Sequence, residues 1–182
     1  MPNIPKIDNR GFTIIELIVS LAIGIFIFGI LLKLFYVQQE TFSIQGQLAE
    51  MEQNMRAAID IMSRDIKMAG HGTTSTEIFT ISETGTVTFL VDYDSDGTLE
   101  AIRFGLDDND LEIERRVNTD VPQPIVDNIE SLVFDYGTDP DTGATNTVTI
   151  SVSGRTSKSD GNYMGDGYRR STLTSIIKIR NQ

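Results

Sequence analysis

The chain has 182 residues, 26 of them acidic and 15 basic, with one histidine and no cysteine. That length has room for one modest globular domain beside an anchor. The missing cysteine excludes a disulfide framework and thiolate metal ligation, and the formal net charge of −11 argues against a nucleic-acid partner, whose phosphates it would repel.

Met1 to Gly11 carries Pro2 and Pro5, which rule out a stable helix, and the basic residues Lys6 and Arg10. Residues 1–11 read as a processing segment and are set apart from the fold. From Phe12 to Leu32 the only charged residue is Glu16. In helical form that run is roughly 32 Å long, the thickness of a bilayer's hydrocarbon core. Its apolar residues lie on every helical face, which one-sided packing on a soluble core does not explain. Residues 12–36 are therefore predicted to cross a membrane, with Lys33 reaching back to the headgroups. Lys6, Arg10 and the amino terminus bias the leader to the cytoplasm, so the body is expected on the far side of the inner membrane.

Glu16 is the informative exception. A carboxylate inside the bilayer costs roughly 2.5–3.5 kcal/mol, and such a residue is a functional hypothesis by default. A secretory signal peptide is cut after its apolar region, whereas the processing-like junction here, a glycine behind a short charged leader, precedes it. Gly11-Phe12-Thr13-Ile14-Ile15-Glu16-Leu17 resembles the GFTxxEL signature of type IV prepilins and type II secretion pseudopilins. The resemblance implies cleavage between Gly11 and Phe12 by a prepilin peptidase, then N-methylation of Phe12. It also implies that Glu16 neutralises the Phe12 amine of a neighbouring subunit during filament assembly. A buried carboxylate is tolerable beside such a cation. The competing reading is a plain signal anchor with a stray glutamate, and the register of glycine, aromatic, glutamate and leader charge argues against it.

The helix is expected to continue past the membrane over residues 37–72. Leu48, Met51, Met55, Ala58, Ile59, Met62, Ile66 and Ala69 step by three or four and form one stripe. Methionines at that spacing are read as core filling against a sheet. No proline interrupts Phe12 to Ala69, although Gly24, Gly29 and Gly46 each weaken the helix by up to ~1 kcal/mol. Gly70-His71-Gly72 supplies the stop, and His71 is assigned to the cap rather than to catalysis.

Residues 73–182 change period. Strands are predicted at Thr86–Val91, Leu99–Leu106, Leu111–Val117, Ser131–Tyr136, Thr145–Ser153 and Leu173–Ile179, giving an antiparallel sheet. Pro122 and Pro124 are expected to break the chain, and the glycine-rich loop from Gly154 to Gly167 to be mobile. The stretch Met55–Gly70 resembles the helix end, and the segments Tyr168–Leu173 and Ile177–Asn181 the last strand, of PilW-type minor pilins and J-type pseudopilins.

Asp92-Tyr93-Asp94-Ser95-Asp96-Gly97-Thr98-Leu99-Glu100 fits the first nine positions of an EF-hand loop, with Asp92, Asp94, Asp96 and Glu100 as candidate Ca²⁺ ligands. The twelfth position, where a bidentate glutamate belongs, is Arg103, and strands rather than helices flank the loop. An EF-hand proper is thus excluded, while a looser Ca²⁺ loop survives. With no cysteine, one histidine assigned to a cap, no phosphate loop, no HExxH and no identifiable carboxylate pair, no enzyme is expected.

The sequence therefore predicts an α+β protein, a long N-terminal helix packed on an antiparallel β-sheet domain, the pilin fold. The resemblance implies a minor pilin of a type IV pilus, in the inner membrane and then in the filament. Its alternatives are a J-type type II secretion pseudopilin and a tip-located binding subunit such as an adhesin. The partners implied are the prepilin peptidase, other pilin or pseudopilin subunits and the inner-membrane assembly platform.

Overall fold

A computed structural model describes residues 11–73, 78–83, 85–138 and 145–179; residues 1–10 of the expected leader, and Arg180 and Asn181 of the C-terminal stretch, lie outside them. The chain divides into two compact units, Met1–Ile44 and Gln45–Gln182.

In the first unit, residues 14–44 belong to helix α1, Ile14–Met68, a single element of 55 residues. It is the one helix among the described residues long and apolar enough to cross a membrane. The large apolar side chains from Phe12 to Val37 are all exposed within the monomer, Phe12 at 82%. Two of the helix's hydroxyls are satisfied locally. Ser20 donates its hydroxyl to the Leu17 carbonyl at 2.9 Å, and Thr41 does the same to Val37 at 2.9 Å. Such back-bonding is what a hydroxyl needs where water is scarce.

The second unit holds the α1 residues from Gln45 onward and eight strands. Strands β1 (Phe79–Glu83), β2 (Thr86–Val91), β3 (Glu100–Asp107), β4 (Glu112–Val117) and β5 (Gln123–Val126) form one antiparallel sheet in that order. Strands β6 (Ile129–Thr138), β7 (Thr145–Arg155) and β8 (Arg170–Lys178) form a second. The predicted stripe of α1 is its buried face: Met51, Met55, Ala58, Ile59, Met62, Ile66 and Ala69 join Phe89, Phe104, Ile113, Leu132 and Ile150 in one core. The α+β arrangement expected from the sequence is the one found.

Four details differ from expectation. The single sheet is two, because Asn128 at φ 61° turns the chain and β6 pairs with β7 instead of returning to β5. Strand β1 is an addition, a five-residue partner of β2 with an irregular register between Thr80 and Glu83. Pro124 lies inside β5, opposite Glu114, and is tolerated because β5 is the sheet edge, where only one side needs ladder partners. The loop expected to be mobile is cross-tied. Arg169 pairs with Asp160 at 2.9 Å, Arg155 stacks over Tyr168 at 4.3 Å, and the Lys158 N–H reaches Gln47 on α1 at 3.0 Å. The Asn162 N–H and the Arg169 guanidinium both favour the ionised form of Asp160 and lower its pKa.

Candidate functional site

Three groups of residues singled out by the sequence can be placed. At the start of α1, Thr13 and Glu16 form a reciprocal cap. The Glu16 carboxylate accepts from the Thr13 backbone N–H at 2.9 Å and from its hydroxyl at 2.8 Å, while the Thr13 hydroxyl accepts from the Glu16 N–H at 3.3 Å. This is a capping box, Thr at the cap and Glu three residues on, and it satisfies donors that the first helical turn leaves without partners. The Thr-x-x-Glu spacing was present in the sequence but was read there only as part of a longer signature. Gly11 and Phe12 precede the helix, and both are exposed.

The second group is the helix stop. Gly70 and Gly72 both have φ +80°, the left-handed conformation that favours glycine. The Gly70 N–H donates to the Leu90 carbonyl at 2.9 Å, and the Asp92 N–H to the His71 carbonyl at 2.9 Å. A side chain at Gly72 would collide with the Asp92 Cβ, so the close approach itself requires glycine. His71 takes part through its backbone, with its imidazole exposed.

That contact seats the third group, the acidic loop, beside the helix end. Asp92 accepts from the Asp96 and Gly97 N–H groups, each at 3.1 Å, and Glu100 accepts from the Tyr93 N–H at 2.9 Å. Carboxylate oxygens of Asp92, Asp94 and Glu100 lie within 4.8 Å of one another. Asp96 falls outside that trio. It accepts from the Thr98 N–H at 2.7 Å, a bond that lowers its pKa. Arg103 sits within β3, paired with Thr88, well into the sheet. The loop is a β2–β3 connection, with no helix on either side.

One contact was missed by sequence reading. Asp65, on the buried side of α1, accepts from the Arg115 Nε at 2.7 Å and ties the helix to β4. Asp65 sits one residue before Ile66 of the apolar stripe, so its inward position was legible, but its partner 50 residues away was not.

A membrane-length apolar helix leading into a domain of antiparallel sheets places this chain in the type IV pilin-like superfamily. It belongs to the prepilin peptidase-dependent protein B family, whose model matches residues 44–177. Among solved structures, the chain is similar to the type IV-like pilin TTHA1219 from Thermus thermophilus, with a TM-score of 0.49, 10% identity, and coverage of 72% of this chain and 98% of that one. No curated protein sequence matches the chain. The family is one of pilin-like structural subunits.

Proposed function

We propose that this chain is a minor pilin, made with a leader at 1–11, anchored by residues 12–36, and assembled into a type IV pilus after processing. The observation that carries the reading is the helix start. A membrane-length apolar helix, exposed on all sides in the monomer, needs apolar neighbours, and its one charged residue before Lys33 sits in the first turn. The family's dependence on prepilin peptidase supports cleavage at Gly11–Phe12, followed by methylation of Phe12. The outer domain is placed in the periplasm, and the protein's work is assembly rather than catalysis.

Mass spectrometry of protein extracted from membranes is expected to find methylated Phe12 as the amino terminus. An intact leader in cells with active prepilin peptidase ends this reading. A bulky residue in place of Gly11 is expected to block cleavage.

Ca²⁺ binding by the acidic loop is a further part of the proposal, supported by the three clustered carboxylates. Ca²⁺ is expected to raise the melting temperature of the full-length chain. A ligand specific for the folded state at 100 times its dissociation constant adds about 2.7 kcal/mol. Asp94→Ala, which removes a member of the trio, should abolish the shift. No shift at millimolar Ca²⁺, or an equal shift in the variant, counts against the loop as a metal site.

A further inference from the structure

The outer face of the five-stranded sheet carries a pair of arginines to which the proposed function gives no role. Arg103 on β3 and Arg116 on β4 are direct cross-strand partners. Their neighbours Ile102, Phe104 and Ile113 point into the core, so the two arginines share the opposite face. Like charges in that relation repel and destabilise a sheet. The chain has 26 acidic residues with which to relieve the repulsion. Even so, among the described residues neither guanidinium forms an ion pair or a side-chain hydrogen bond. The adjacent Arg115, on the core side, is paired with Asp65. The Arg116 Nε is buried and has no hydrogen-bond partner, an expensive state for a charged donor.

The two arginines border a hollow of about 240 Å³, lined also by Thr86, Gly105, Glu114 and Pro122. Gly105 lies mid-strand, where glycine is disfavoured unless something approaches closely. It stands directly between Thr86 and Glu114, so its missing side chain opens the floor of the hollow. Glu114 makes no ion pair with either arginine.

We propose that this hollow is an oxyanion site, in which the guanidiniums of Arg103 and Arg116 together hold one carboxylate or phosphate group. Each guanidinium offers a planar fork of donors matched to such a group, and an anion between them converts a repulsive pair into an attractive one. The hollow has room for the anion and several waters, each taking about 30 Å³. Two sources share this chemistry: a free phosphate, or an acidic side chain of a second copy. The acidic segment Asp107–Asp110, from the last residue of β3 into the following turn, is the part of the chain suited to the second role.

The test uses the full-length chain in uncharged detergent, with inorganic phosphate compared against chloride at matched ionic strength. Phosphate at about ten times its dissociation constant is expected to raise the melting temperature, as any ligand of the folded state must. Arg103→Gln and Arg116→Gln should each abolish the shift, while melting in chloride at or above the wild-type temperature because the repulsion is gone. Arg116→Lys, which keeps the charge but loses the fork, should weaken phosphate binding at least tenfold by equilibrium dialysis. Gly105→Val, which fills the hollow without altering charge, should do the same. A peptide spanning residues 106–111 is the second probe. Tenfold tighter binding of the peptide than of phosphate assigns the site to a second copy's carboxylate, and the reverse order assigns it to a free anion. Binding of neither probe, equal binding by the arginine variants, or a lower melting temperature of Arg116→Gln in chloride overturns the proposal.

Discussion

Replacing Glu16 with alanine is expected to abolish incorporation into filaments while leaving membrane insertion and the outer domain intact. In the monomer the Glu16 carboxylate is held by the Thr13 N–H and hydroxyl at the helix start. That cap offsets part of the cost of a carboxylate near the membrane, since the oxygens do not face hydrocarbon unpartnered. On the proposed reading, a filament largely excludes water, and the methylated Phe12 amine of a neighbour supplies a positive charge there. Removing one partner of a buried pair costs about 3–5 kcal/mol, because the other charge is left alone. On the proposed reading, Glu16→Ala pays that cost at every interface the subunit forms.

The capping box complicates the alanine result, because alanine removes the cap as well as the charge. Glu16→Gln separates the two. Glutamine can still close a capping box but carries no charge. Both variants are therefore expected at wild-type levels in membranes and to be depleted in sheared filament fractions. Normal incorporation of Glu16→Gln would show that the cap, not the charge, is what the position requires. Normal incorporation of both would return the segment to a plain anchor.

Asp65→Ala is expected to be the most damaging polar substitution in the outer domain. Asp65 retains 12% of its side-chain exposure and Arg115 26%, so the pair joining α1 to β4 is mostly shielded from solvent. Truncating Asp65 leaves the Arg115 guanidinium without its acceptor, beside the Tyr93 ring at 5.7 Å. Because Arg115 keeps some access to water, the low end of the range applies, about 3 kcal/mol. For a chain of this size that corresponds to a drop of about 6–12 °C in melting temperature. The double variant Asp65→Leu/Arg115→Met should recover most of the loss, since apolar replacement of both partners is often neutral or better. Thermal unfolding of the full-length variants checks both. A drop below about 2 °C for Asp65→Ala would show that the pair is solvated in practice and contributes little.

Local chemistry made the first unit legible from sequence. An unbroken apolar run, a glycine behind a basic leader and one glutamate are features of neighbouring residues. The cap at Thr13 could also have been read, since Thr-x-x-Glu before an apolar run is a capping signature. The stripe from Met51 to Ala69 likewise needed only helical periodicity, and the turn residues at Asp94–Gly97 located the ends of β2 and β3. Periodicity and turn chemistry act within a few residues, which is why they survive in a linear reading.

What the sequence by itself determined is therefore the membrane-length apolar helix, its amphipathic continuation and the antiparallel character of the domain. The tertiary structure decided which strand lies beside which and what meets across the gaps. Asn128 diverting β6 into a second sheet, Asp65 finding Arg115, the arginines tying down the loop after β7, and Arg103 facing Arg116 all depend on register and on a shared core. Register is fixed by the joint burial of residues far apart in the chain, because a one-residue slip would turn every side chain of a strand to the wrong face. That constraint belongs to the packed domain, and no local stretch of the chain contains it.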